Sequence, residues 1–555
     1  MKRKLRVGLL LKSYQAPAWL YCSIEKIVES YYAEVAIVVI NEGDYGNISR
    51  LRRLRKKIEF MAYTLFRKTE EKIFQCRPNA LESKNMRILL KSVFSLKVRP
   101  KQNKGLHYLA KSDIQNIKNF DLDILIEGGF GDLGGDILTA SQFGVWAYQH
   151  SDIRMRRGGP PGFWEVILKS PTTGITLNML DQHGNDASVL ARLTTRTERV
   201  LIHWNNNKCY WKAISLLPRR LKDLYELGEE EFFSRVRENN QHPAIYSGRF
   251  YQTPGNAELI ALLLKHYYKY LISKIRSVFY CEQWVLLFRI DPAKEYASEF
   301  YKFSELCPPK DRFWADPTTI YANGKYYVFF EEFVYRLKKG HISYLIMDSE
   351  GDYSESKKVL ELPYHLSYPF VFMHDHEYYM IPETRSNQTI DLYRSLSFPD
   401  NWEKVMTLME GVIAVDTTLL LKDGMWWLFA NMCENEGASV DEELFLYYAS
   451  DFMTQDWTPH PLNPIVSDVR TARPAGKIFT RNGKMYRPAQ NCSRRYGYGM
   501  AINQIITLTT TDYEEICVNE IGPDWDESIV ATHTVNHDNK MTIIDAIKRR
   551  RRLFG

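Results

Sequence analysis

The sequence predicts a multidomain protein made of an α/β domain, a helical connector and an all-β five-bladed propeller. Three observations carry that prediction. Short apolar runs alternate with helical spacing in the first part of the chain, the texture turns purely helical after Arg192, and a degenerate repeat opening at Arg312 returns four times before the C-terminus. A chain of 555 residues also exceeds what one hydrophobic core ordinarily serves. The boundaries read as 1–200 for the α/β domain, 201–280 for the connector, 281–547 for the propeller and 548–555 for a basic tail.

Composition limits the function classes. With 45% hydrophobic and 25% charged residues the chain is of the soluble globular type. A formal net charge of +6 is small for this length, and the run Lys548 to Arg552 reads as a solvated tail, so no nucleic-acid partner is expected. The eight cysteines are scattered, with no Cys-x-x-Cys and no Cys/His cluster of zinc spacing, which predicts reduced thiols and no metal. The apolar run Val7 to Leu11 is cut off by Lys12, too short for a signal peptide. No stretch approaches the roughly 20 apolar residues of a membrane span. The expected compartment is the cytoplasm. Oligomeric state leaves no sequence signal.

Leu5 to Leu11 reads as a buried strand, Ala18 to Tyr31 as a helix and Glu34 to Ile40 as a second strand, a βαβ opening that predicts a parallel sheet. The basic stretch 49–75 reads as a helix. Asp123 to Glu127 is a further strand ending in Gly128-Gly129-Phe130-Gly131, where glycines let the backbone turn sharply. A strand from Phe143 then delivers Tyr148-Gln149-His150, followed by Arg154, Arg156 and Arg157 ahead of Gly158-Gly159-Pro160-Pro161-Gly162, an anion-binding loop by its chemistry. A strand around Thr176 leads into the turn Leu180 to Asp186.

This segment resembles the formyltransferase fold of the methionyl-tRNA and sugar-nucleotide N-formyltransferases. The resemblance places His150 on the family histidine as general base, Gly159 on the loop glycine and Asp186 on or near the family aspartate. It implies a formyl-folate donor as cofactor and a sugar or nucleotide sugar as substrate. Where the family has asparagine, this chain has Tyr148, whose hydroxyl would have to polarise the formyl carbonyl from further out. Tyr148, Arg154 and Arg157 are candidate substrate-binding residues.

From Arg219 to Leu227, Glu229 to Glu238 and Ala257 to Val278 the spacing is helical, with Gly228 as a stop between the first two. Glu282 to Arg289 is then a lone strand. In a propeller a leading strand completes the last blade and closes the ring. The repeats follow at spacings of roughly 48 to 60 residues, a blade period. Their hairpin turns are read at Asn323-Gly324, His374-Asp375, Asp423-Gly424, Asn482-Gly483 and Asp538-Asn539.

Superposing the copies exposes two variable polar positions. The innermost strand opens on Asp316, Tyr368, Asp416, Arg473 and His533, and the second strand closes on Glu331, Glu383, Asn431, Gln490 and Asp545. Structural repetition asks for equivalent apolar residues, whereas a ring of differing polar groups suits an asymmetric ligand. Trp314, Tyr368, Arg473, Gln490 and His533 are candidate ligand contacts.

Phe313-Trp-Ala-Asp-Pro317, His365 to Phe370, Ile381-Pro-Glu383, Arg473-Pro-Ala-Gly476 and Tyr486 to Gln490 resemble the propeller at the N-terminus of plant glucosamine inositolphosphorylceramide transferases. That domain is related to the five-bladed, family-43 type glycoside hydrolases. Such hydrolases use paired carboxylates, one protonating the leaving oxygen and one activating water or attacking. The resemblance implies Asp316 and Asp416 as catalytic carboxylates with Glu383 as acid, while the second blade carries Tyr368 in place of an aspartate. Three function readings follow: group transfer, formylation included, to an amino sugar in polysaccharide or glycoconjugate biosynthesis; glycoside hydrolysis; or non-catalytic glycan binding.

Overall fold

The computed structural model describes residues 2–43, 58–103, 105–150, 158–180, 188–242, 246, 248–291 and 296–551. The chain divides into two compact units, Met1–Tyr268 with Asn435–Ala438, and Lys269–Glu434 with Ser439–Gly555.

The first unit is built on a seven-stranded sheet. Its strands, in spatial order, are Ser188–Arg196, Thr172–Leu180, Val145–Gln149, Ile124–Gly128, Leu5–Leu11, Ala33–Asn41 and Phe94–Val98. The last five are parallel and the first two antiparallel. Val7, Leu9 and Leu10 are fully buried, as a central parallel strand covered on both faces requires. Helices Ile202–Ala213, Leu216–Leu227 and Glu229–Asn239 contribute Tyr210, Leu217, Leu221 and Phe232 to the core on one face. Gly228 separates the last two with φ of 84°, a backbone state only glycine adopts cheaply. The turn Gly129 to Gly131 is pinned by Glu127, whose Oε1 accepts the Gly129 and Gly131 N–H groups at 2.8 and 3.1 Å.

The second unit is a five-bladed β-propeller. The first three blades are Arg312–Ala322 to Lys357–Leu360, Ser367–His374 to Asp400–Glu410 and Ala414–Lys422 to Thr458–Pro459, each a four-stranded antiparallel sheet. The fourth runs from Phe479–Arg481 to Tyr513–Ile521, and its innermost strand is cut to three residues. The fifth joins the two ends of the unit, with Tyr280–Ile290 pairing antiparallel to Met541–Arg551 from Tyr280↔Arg551 to Ile290↔Met541. Neither strand is left with an open edge there, since Ser304–Leu306 and Ile529–Ala531 flank them.

Three expectations change at this level. Lys548 to Arg551 are not a tail; they extend the closing strand, and Lys548 and Arg550 pair with Glu305. The second hairpin turns at Asp375-His376, both left-handed, and the fifth at Asn539-Lys540, each one residue beyond the expected pair. The three turns with glycine, which fixes the position of positive φ, lie where they were expected, between the paired strands.

Candidate functional site

The site grows from a defect repeated in the innermost strands. Asp316, Tyr368 and Asp416 have φ of 53°, 41° and 52°. Each coincides with a break in pairing to the second strand, between Ala315 and Thr318, Ser367 and Phe370, and Val415 and Thr418. A left-handed residue in a bulge costs on the order of 1–3 kcal/mol and re-aims its side chain. Aspartate tolerates this conformation; for a tyrosine it is a genuine outlier. The redirected groups then meet partners carried by other blades.

Arg473 is the central cation. Its guanidinium donates to both oxygens of Asp416, at 2.5 and 3.1 Å, and to Asp441 Oδ1 at 2.8 Å, and it lies 3.6 Å from Glu383 Oε2. Gln490 Nε2 adds a bond to Asp416 Oδ2 at 2.7 Å and to the Pro474 carbonyl at 2.9 Å. Tyr496 lies under Arg473, 4.9 Å from ring centre to guanidinium.

His533 bridges two carboxylates, with Nδ1 at 2.7 Å from Asp545 Oδ2 and Nε2 at 3.3 Å from Asp316 Oδ1. Asp545 also accepts the backbone N–H groups of Asp316, His533 and Thr534 and the Thr534 hydroxyl. Trp284, on the strand that closes the ring, stacks on the imidazole at 4.1 Å. The Tyr368 hydroxyl shares a hydrogen bond with Thr418 at 2.9 Å.

The protonation pattern follows from burial and from these pairings. Burial and then the Asp416 charge push Glu383 up to about 8, against the pull of Arg473. Burial holds Asp316 well above the usual carboxylate range despite His533. Glu331 is raised by burial and then by Glu383, Asp545 and Asp416. Burial opposes ionisation of Asp545 and His533, but their mutual attraction wins, lowering the carboxyl and raising the imidazole. The site therefore combines two close charge pairs, Arg473 with Asp416 and His533 with Asp545, with three further carboxyl groups, Asp316, Glu331 and Glu383, that burial shifts toward the protonated form. Asp316 Oδ1, Glu331 Oε1 and Glu383 Oε2 are buried and make no hydrogen bond among the described residues. A protonated carboxyl at such a position can donate to a ligand oxygen.

Asp316, His533 and Asp545 also present one ligand-capable atom each within 4.8 Å of one another, a group that among the described residues could hold a metal ion. No metal was expected, because the eight cysteines are scattered and no Cys/His cluster has zinc spacing; Asp316 lies more than 200 positions from His533 and Asp545.

The propeller thus brings together Asp316, Tyr368, Glu383, Asp416, Arg473, Gln490 and His533 from the expected set. Trp314 stands apart: it packs on Phe330 within its blade and donates to Glu332 Oε1 at 3.1 Å. Asp441, Trp284 and Tyr496 were missed. Asp441 lies in an irregular acidic loop and the other two outside the repeated positions, so superposing the copies could not find them.

In the first unit Tyr148 sits near the end of Val145–Gln149 and His150 just beyond it. The His150 ring stands edge-on to Trp19 and Tyr210, and burial takes its pKa down to about 4. The Tyr148 hydroxyl donates to the Ala213 carbonyl at 3.0 Å and accepts the Leu217 N–H at 3.2 Å, linking it to a helix junction. Arg154, Arg157 and Asp186 lie outside the described residues.

A family model described as "Glucosamine inositolphosphorylceramide transferase 1, N-terminal" matches residues 303–533. A relative called glucosamine inositolphosphorylceramide transferase 1 from Oryza sativa subsp. japonica is 33% identical over 210 residues, and one from Arabidopsis thaliana 31% over 207. Each match covers 37% of this chain and only 28% and 27% of the relative. Among solved structures, a thermostable family-43 glycoside hydrolase is 13% identical, covering 43% of this chain and 89% of its own at a TM-score of 0.34. Zg3597, a family 117 glycoside hydrolase from Zobellia galactanivorans, is 13% identical over 48% of this chain and 90% of its own, TM-score 0.32. Glycinamide ribonucleotide transformylase 1 from Symbiobacterium toebii is 11% identical over 41% and 92%, TM-score 0.27. The five-bladed propeller of this chain, with its ring of unlike polar residues, is similar to the N-terminal domain of the glucosamine inositolphosphorylceramide transferases.

Proposed function

We propose that the propeller axis takes a sugar unit of a glycoconjugate and that the chain serves as a transferase of glycoconjugate biosynthesis. The observation that carries this reading is the meeting, from five blades, of three buried carboxyl groups, Asp316, Glu331 and Glu383, with two close charge pairs, Arg473–Asp416 and His533–Asp545. Sugar hydroxyls both donate and accept, and a site offering protonated acids beside anchored charges matches that duality. Glu383, which keeps its proton up to about pH 8, supplies a general acid for an oxygen leaving or entering the anomeric carbon. Asp416 has both oxygens engaged by Arg473 and Gln490, so it anchors the site rather than attacking. The relatives' name, a glucosamine inositolphosphorylceramide transferase, supports an amino sugar and a transfer reaction. Formyl transfer stays outside the proposal, because an imidazole near 4 is a weak proton acceptor and the Tyr148 hydroxyl is engaged in the fold.

Calorimetric titration of the full chain with nucleotide sugars, oligosaccharides and a formyl-folate tests the reading. Saturable sugar binding is expected, weakened about tenfold or more by Glu383→Ala and by Asp316→Ala, as loss of a buried hydrogen bond to an acidic group would give. Sugar binding indifferent to both substitutions, or no sugar binding, overturns it.

A further inference from the structure

The polar ring of the propeller has spare hydrogen-bonding capacity of one kind. Arg473 turns all three of its nitrogens to Asp416 and Asp441, Gln490 Nε2 serves Asp416 and the Pro474 carbonyl, and Asn431 Nδ2 donates to the Val440 carbonyl at 3.1 Å. The Tyr368 and Thr534 hydroxyls are engaged as well, and both His533 nitrogens face carboxylates. Four oxygens of the ring are left buried and without a hydrogen bond among the described residues: Asp316 Oδ1, Glu331 Oε1, Glu383 Oε2 and Asn431 Oδ1. Charge is as one-sided. Asp316, Glu331, Glu383, Asp416, Asp441 and Asp545 gather around Arg473 and His533, so six carboxyls share two cations. Vacant oxygens beside surplus carboxyls call for a donor that carries positive charge.

Glu331 is where such a donor fits. It lies opposite Ala315 in the first blade, and the charges that act on it, after burial, are those of Glu383, Asp545 and Asp416 on three other blades, so its carboxyl faces the axis. The residue is only 5% exposed. Gly340 leaves the room for its carboxyl, since a Cβ there would lie 2.7 Å from Oε1. His365 bounds the other side. Its Nδ1 accepts the Gly340 N–H at 2.9 Å, which puts the ring proton on Nε2, and burial lowers its pKa, so this imidazole is neutral. Nε2 stays 3.6 Å from Glu331 Oε1, too far for a hydrogen bond. Asp316, in the same blade, feels the Glu331 charge and has a vacant oxygen of its own. An ammonium group brings three N–H donors and no acceptor, and it can take the place of the protons that repulsion favours on these carboxyls. An acetamide brings a single donor and sets a carbonyl oxygen against them.

We propose that the ring recognises its sugar by a free amino group, seated as an ammonium on Glu331 beside Asp316, so that the ligand is an amino sugar whose nitrogen is not acylated; this rests on the propeller being a sugar site. Calorimetric titration of the full chain with the methyl glycosides of glucosamine, N-acetylglucosamine and glucose, and with ethanolamine as the amine without the sugar, separates the two claims. The glucosaminide is expected to bind about tenfold more tightly than each of the other three, as a buried hydrogen bond between charged groups gives. Glu331→Gln keeps the shape of the side chain and removes its charge, and it should shrink that preference to about twofold. Asp316→Asn is the second variant, since asparagine also tolerates the left-handed backbone there, and it should shrink the preference in the same direction. Glycosides bound without preference for the amine, a preference that survives both substitutions, or ethanolamine bound as tightly as the glucosaminide overturns the amine as the recognised group while the propeller stays a sugar site. No glycoside bound at all removes the sugar site and this inference with it.

Discussion

Individual residues in the propeller axis set two measurable dependences. Glu383 titrates near 8 in the folded chain and near 4 when unfolded, so between those limits the native state holds the extra proton. Its contribution to stability is complete below the unfolded value and is lost as pH rises through about 8. Asp316 and Glu331 are shifted in the same sense, and so is His533, whose raised pKa likewise contributes below and is lost above. Urea midpoints should therefore fall from about pH 5 to about pH 8, and fall less in Glu383→Gln, which stays neutral throughout; parallel wild-type and variant curves would show that the carboxyl is ionised in the fold. The second dependence concerns Arg473. Asp416→Asn removes its bidentate partner and leaves a buried guanidinium answered only by Asp441 and the more distant Glu383. Breaking one side of a buried pair costs about 3–5 kcal/mol, and denaturant unfolding of the variant measures it.

Single blades show how a site residue is carried by its element. Arg473 sits on a segment without regular pairing, because the innermost strand of the fourth blade is confined to Phe479–Arg481. Two backbone bonds tie the segment to the second strand, Gln490 N–H to the Arg473 carbonyl at 2.7 Å and Ala475 N–H to the Pro488 carbonyl at 3.1 Å, and Arg487, buried on that strand, adds donations to the Thr471 and Ala472 carbonyls at 2.6 and 3.3 Å. Arg487 is in turn held by both oxygens of Glu515, at 2.8 and 2.5 Å, and Tyr513 donates to the same carboxylate. Arg487→Met should cost about 3 kcal/mol by leaving Glu515 buried and those carbonyls unpaired. Adding Glu515→Gln should return part of the loss, which a double-mutant cycle in urea measures; a cycle with no coupling would assign the bracing elsewhere. Much of each blade was legible because Asn-Gly and Asp-Gly turns and alternating strands are local signals. The polar ring was legible because copies of one repeat can be laid on each other. The brace through Arg487 and Glu515, the Asp441 contact and the stacking of Trp284 on His533 were not, since each joins residues that no periodicity relates. His374-Asp375 failed as a turn for want of the glycine that fixes the site of positive φ.

At the scale of the molecule, the propeller depends on two strands from opposite ends of its sequence. Tyr280–Ile290 and Met541–Arg551 pair along their whole length, and the closing pair also carries site groups, Trp284 from one strand and Asp545 from the other. The pairing joins residues about 250 positions apart, so the loop entropy of closure is met late and the ring forms as a whole or not at all. The basic residues at its end belong to this closure through Glu305 and Glu282. Removing 541–555 should expose the edge of Tyr280–Ile290, strip His533 of Asp545 and replace one cooperative transition of the propeller by a broad one, with rapid proteolysis and aggregation through the freed edge. Limited proteolysis and thermal unfolding of the full and the truncated chain compare these outcomes directly. Equal protection and equal cooperativity in both would mean that four blades and a remnant suffice, and that the ring of polar residues is held by the blades singly rather than by closure.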